Sequence, residues 1–118
     1  MALFMYNLYE AEEPYTDAGE ADFDAVMAQH RAFSTAIKEA GGRIVAGEAL
    51  QGIKSATFLR NTTTPEVETI DNPLPEVTEV LGGFYLVDLA NDELAIELGK
   101  QAPAGHGYVE VRPIWVLP

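Results

Sequence analysis

Apolar and polar positions divide this chain into segments of different periodicity. Residues 3–9, rich in Leu, Phe, Met and Tyr, predict a strand that stops at the acidic run Glu10-Ala11-Glu12-Glu13-Pro14. From about residue 20 to 40, Phe23, Val26, Met27, Phe33 and Ile37 recur at helical spacing, and Gly41-Gly42 ends the pattern. Residues 43–50 and 55–60 read as strands, Asn61 through Pro65 as a turn, and 66–70 as a short returning strand. The breaker Asp71-Asn72-Pro73-Leu74-Pro75 is followed by an expected helical turn over 76–81, and Gly82-Gly83 by an expected change of direction. Residues 84–89 predict a strand, Asn91 caps a helix running to about Ala102, and 108–112 form the last strand.

The order is β-α-β, an inserted β-hairpin, then β-α-β. Two such units with their helices on one face of an antiparallel sheet make an α+β, ferredoxin-like fold. A sheet covered on one side alternates apolar and polar residues, but these strands do not. Leu3 and Met5 oppose Phe4, Tyr6 and Leu8, and Phe84 and Leu86 oppose Tyr85, Val87 and Leu89. Two helices cover one side only, so a second copy of the sheet is the simplest cover for the other, and a homodimer is expected. The alternative cover is the inserted hairpin or the tail Ile114-Trp115-Val116-Leu117 of the same chain.

Length and composition narrow the function. At 118 residues the expectation is one domain over 1–118, and 47% apolar with 22% charged residues is ordinary globular composition. There is no cysteine, which excludes disulfides and thiolate chemistry and fits a reducing, cytoplasmic setting. The net charge of −12 repels nucleic acid and anionic lipid. No apolar run approaches the ~20 residues that span a bilayer, and the N-terminal segment lacks the basic lead of a secretory signal. The seven acids from Glu10 to Asp24 read as a solvated loop and helix start, and Asn61-Thr62-Thr63 as turn composition despite its match to a glycosylation pattern.

Few residues are placed to carry chemistry. His30 falls in the middle of the helix's apolar stripe and points inward, where a neighbouring carboxylate would tune it for proton transfer. The competing reading is a core histidine bonded to backbone. His106, between two glycines in a loop, suits a mobile ligand-contacting residue, with a merely exposed loop histidine as the competing reading. Glu48 alternates in phase with Ile44, Ala46 and Leu50, which predicts a carboxylate at the edge of a buried surface. Glu110 and Arg112 share a strand face with Tyr108, as dimer contacts or as walls of a polar interface pocket, and Asp71 starts a turn. No nucleophile elbow, phosphate-binding glycine loop or His-x-x-x-His pair is present, so no cofactor and no metal site is expected.

Six segments carry a resemblance over almost the whole chain: Phe4 to Tyr9, Gln29-His30-Arg31-Ala32-Phe33, Ala40-Gly41, Gly47-Glu48-Ala49-Leu50, Leu81-Gly82-Gly83-Phe84-Tyr85 and Gly107 to Ile114. In this order and spacing the chain resembles the YCII-related, or DGPF-domain, proteins. The resemblance implies a ferredoxin-like fold that pairs as a dimeric α/β barrel. The name-giving Asp-Gly-Pro-Phe stands here as Asp71-Asn72-Pro73-Leu74, and Thr78 replaces a lysine usual in the family. The resemblance also implies a His-Asp pair in a cleft, here His30 with Asp71, and a reaction of lyase, isomerase or dehalogenase type. Tyr85, Glu48, Glu110 and Arg112 would then shape the pocket for a small organic ligand, Arg112 holding a carboxylate. The second expectation is a ligand-binding or regulatory dimer without catalysis, tied to transcription initiation through a protein partner.

Overall fold

The computed structural model describes residues 1–16, 19, 21–74 and 76–118. Asp17 and Glu20 of the acidic run and Pro75 of the two-proline breaker lie outside them. In chain order the elements are β1 (Ala2–Ala11), α1 (Phe23–Glu39), β2 (Arg43–Ala49), β3 (Phe58–Arg60), β4 (Glu68–Ile70), β5 (Glu79–Leu89), α2 (Asp92–Gly99) and β6 (Gly107–Pro113). Strands β2-β5-β1-β6, in that order, form one antiparallel sheet, and β3 and β4 form a separate two-stranded hairpin. This is the expected ferredoxin-like α+β arrangement. Among the described residues no helix is long and apolar enough to cross a membrane.

Local chemistry sets the helix ends. The Asp22 carboxylate accepts from the Asp24 and Ala25 amides at 3.0 and 3.2 Å, satisfying donors that the first turn of α1 leaves free. At the other end Gly41 adopts φ +83°, and the Gly42 and Gly41 amides return to the carbonyls of Ile37 and Lys38. That left-handed closure costs least at glycine. Asn91 caps α2 by accepting from the Leu94 amide at 2.9 Å.

Register assigns every side chain to a face. Phe4, Tyr6 and Leu8 of β1 stand beside Val87, Tyr85 and Gly83 of β5 and beside Val109 and Val111 of β6, all facing the helices. There Phe33 and Ile37 of α1 and Ala95 and Leu98 of α2 close a fully apolar core. The Tyr6 ring meets Phe33 edge-on, and its hydroxyl donates to the Ala95 carbonyl at 2.6 Å, tying β1 to α2. Burial pushes the Tyr6 phenol up to about 12. The folded state therefore holds this proton more tightly than the unfolded chain, and the stability it contributes is present below pH ~10 and lost as pH rises towards 12. Tyr6→Phe is expected to cost about 1 kcal/mol at neutral pH and to flatten that alkaline loss, as read by urea unfolding across pH.

Three expectations change. The residues at 76–81 make only one turn, closed by the Val77 amide on Leu74, and the strand begins at Glu79, so Gly82-Gly83 lies within β5. Leu8 pairs with Gly83 and Tyr9 with Leu81, which leaves Gly82 as the extra residue of a bulge. Helix α2 stops at Gly99, with three-residue turns carrying the chain on to Ala102. A β-carbon at Gly99 would sit 2.9 Å from Val111 and 3.3 Å from the Tyr6 ring, so this glycine admits the close approach of helix to sheet. The hairpin strands are shorter than expected because Ile53–Ser55 form a 3-10 turn and pairing spans only Phe58–Arg60 and Glu68–Ile70.

The other sheet face carries Leu3, Met5 and Asn7 of β1 with Phe84 and Leu86 of β5, all half-buried. Neither alternative cover closes over it: only Ile114 at the start of the tail is half-buried, its amide donating to the Leu3 carbonyl. Trp115, Val116 and Leu117 in the tail are 84, 78 and 65% exposed, and Leu59 and Val67 of the hairpin region stand in solvent. The radius of gyration is 16.3 Å, against about 13 Å for a compact chain of this length, because these segments extend from the body.

Candidate active site

The apolar stripe of α1 divides between two environments. Phe33 and Ile37 are in the core, whereas Phe23, Val26, Met27 and His30, nearer the N-terminus, line a cavity of about 620 Å³ between α1 and the sheet. The sheet leaves this space because the positions beneath that half of the helix carry Gly47 and Ala49 on β2 and Gly83 on β5. A helix–sheet layer with so little side-chain volume on part of one wall cannot close. The N-terminal end of the stripe looks like core by its spacing but is a cavity wall, with Met27 and Phe23 more than half exposed.

His30 meets Tyr85 at the inner end of the cavity, Nδ1 to hydroxyl, at 2.5 Å. Phe33 packs edge-on against the Tyr85 ring at 5.1 Å. On the other side of the ring Gly47 comes so close that a β-carbon there would lie 2.8 Å from Tyr85 Cδ1. Burial raises the Tyr85 phenol, keeping it protonated. Burial also lowers the His30 imidazole, partly offset by the negative charge of Glu10. Between a neutral phenol and a neutral imidazole, the O–H donates and Nδ1 accepts, which assigns the ring proton to Nε2.

Carboxylates stand towards the mouth. Glu10 accepts from the Tyr15 hydroxyl at 2.5 Å and from the His106 amide at 3.3 Å, and Glu12 accepts from the Ile53 amide at 2.6 Å. Burial and the Glu10 charge together hold the Tyr15 phenol far above its ordinary range. His106 packs edge-on against Tyr15 and remains exposed, as a loop histidine should. Among the described residues no three His, Asp or Glu side chains converge as metal ligands.

The structure brings together some of the residues expected at a site and separates others. His30 and Tyr85 are in contact, and Glu48 lines the cavity. The phase expected for Glu48 is corrected by a register shift between Ile44 and Ala46, which leaves Ile44 on the helix side and puts Ala46 and Glu48 on the other. Asp71 follows β4 in the projecting hairpin. It is exposed, outside the cavity lining, and makes no hydrogen bond or ion pair among the described residues, so within one chain His30 pairs with Tyr85 and not with Asp71. Glu110 and Arg112 occupy the open sheet face beside Asn7 and Met5, across the sheet from the cavity, and Glu110 accepts from the Asn7 amide at 2.9 Å. Sequence reasoning missed Glu10, Glu12 and Tyr15 as wall residues. The only signal was the acidic run itself, which reads equally well as solvated loop.

Because burial is the leading cause, the His30 midpoint lies below 6.5, and protonating this ring destabilises the fold as pH falls from 6.5 towards that midpoint. Glu10→Gln removes the charge that favours imidazolium. The His30 midpoint, followed through its ring protons by NMR, is expected to move lower still; an upward move would show that Glu10 does not act on it.

A family described as the YCII-related domain matches residues 3–118. No curated protein matches the chain.

Proposed function

The chain belongs to the YCII-related family, and on that premise we propose a cytoplasmic, homodimeric acid–base enzyme of the lyase, isomerase or dehalogenating kind, acting on a small organic molecule. The observation that carries this reading is the 2.5 Å hydrogen bond between His30 and Tyr85 in the wall of a largely apolar cavity. In the relay we envisage, the Tyr85 oxygen takes a proton from the bound molecule while its own proton passes to His30 Nδ1. The phenol is neutral before and after, and the imidazolium formed lies in the favourable field of Glu10. A tyrosinate, which burial disfavours, is never required. The net change is one proton moved from substrate to His30, returned to product on the reverse passage. The absence of cysteine supports the reducing compartment.

A sheet face on which half-buried Leu3, Met5, Phe84 and Leu86 lie among polar neighbours, covered by neither the tail nor the hairpin, supports the homodimer. Asp71 lies on the projecting hairpin and is not used in this relay.

Screening a small-molecule metabolite library for turnover by wild type and His30→Ala tests the proposal. Turnover by wild type that disappears in the variant is expected. Equal turnover by both would remove the histidine's role, and saturable binding without turnover by either would favour the regulatory ligand-binding reading instead.

A further inference from the structure

The sign of charge around the cavity says more about its ligand than its shape does. The chain has seven basic side chains, Arg31, Lys38, Arg43, Lys54, Arg60, Lys100 and Arg112. Among the described residues none of them lines the cavity, and the four residues outside the description, Asp17, Ala18, Glu20 and Pro75, include no base. Glu10 and Glu12 do line it, and Glu48 borders it from a strand position whose side chain turns to the other sheet face. Among the described residues the one group in the wall able to become a cation is His30, and burial shifts it towards the neutral form. Arg112, the residue best suited by type to hold a substrate carboxylate, is on the opposite sheet face.

Anion recognition in a partly desolvated pocket needs a guanidinium, an ammonium or a set of converging amide donors. Two amide donors beside the wall are already used by its carboxylates: that of Ile53 by Glu12 and that of His106 by Glu10. The rest of the wall includes the side chains of Leu8, Phe23, Val26 and Met27, which suit an apolar body.

We propose that the cavity takes an uncharged or cationic organic molecule with an aromatic or aliphatic body, such as an alcohol, ketone, lactone or amine, and rejects carboxylates and phosphates. This rests on the reading of the cavity as the functional site.

Three ligands of nearly one shape separate the possibilities: 2-phenylethylamine, 2-phenylethanol and phenylacetate. Each is titrated into the full-length protein at low salt and pH 7.5, with binding read from the NMR shifts of the His30 and Tyr85 rings. Saturable shifts are expected for the amine and the alcohol, with phenylacetate weaker by about tenfold or more. Added salt is expected to narrow the gap between amine and acid, since screening weakens both attraction and repulsion. Glu10→Gln, which removes the carboxylate charge that already acts on His30 in the cavity wall, is expected to narrow it in the same direction. Phenylacetate binding as tightly as the other two, or more tightly, would overturn the proposal while keeping the cavity as a ligand site. Shifts at the two rings with none of the three would overturn both.

Discussion

His30→Gln and Tyr85→Phe are each expected to lower turnover of the enzyme's substrate by about 10² to 10⁴, the range over which one positioned acid–base group contributes. The double variant is expected to be little worse than either single one. In a relay, loss of either partner breaks the same proton path, so the two effects do not add. Mostly unchanged KM with reduced kcat would place the loss in the chemical step. The wild-type rate is expected to fall on the acid side of pH 6.5, as burial lowers the His30 midpoint and only the neutral ring accepts a proton. Multiplying losses in the double variant, or a rate limb above pH 7, would count against the relay. Tyr85→Phe keeps the ring against Phe33 and over Gly47, so a fall in rate without a fall in melting temperature separates chemistry from folding.

The second large effect concerns assembly. Sedimentation at micromolar concentration is expected to give twice the 12.8 kDa chain mass, with Leu86→Glu and, separately, Met5→Lys shifting the protein to monomer. Both residues are half-buried on the open sheet face, paired with each other across β1 and β5, and outside the helix-side core. Placing an unpaired charge in an apolar interface costs about 3 kcal/mol or more, roughly a hundredfold in the dissociation constant. Charges of opposite sign at neighbouring positions should act alike, because desolvation and not pairing is the cause. Unchanged circular dichroism in both variants would show that the fold survives. A single-chain mass for the wild type would remove the homodimer from the proposal.

Strand and helix order was legible in the sequence because it rests on local periodicity. The apolar run through Phe4, Tyr6 and Leu8, the stripe through Phe33 and Ile37, the cap Asn91 and the stop at Gly41 are each decided within a few residues. The sequence likewise determined that His30 turns inward, since its place on the stripe follows from 100° per residue. The ordered segments from Phe4 to Ile114 carried the family resemblance.

What surrounds His30 was decided only by the tertiary structure. The cavity exists because Gly47, Ala49 and Gly83 from two strands meet under one helix, a coincidence of registers fixed by bulges at Val45 and Gly82. One extra residue moves every later side chain to the other face, so the phase of Glu48 could not be counted from Ile44. The exchange of Asp71 for Tyr85 as the partner of His30 has the same origin. Pairing across 55 residues depends on how β5 lies beside β2, and a pattern read along one segment contains no term for its neighbour.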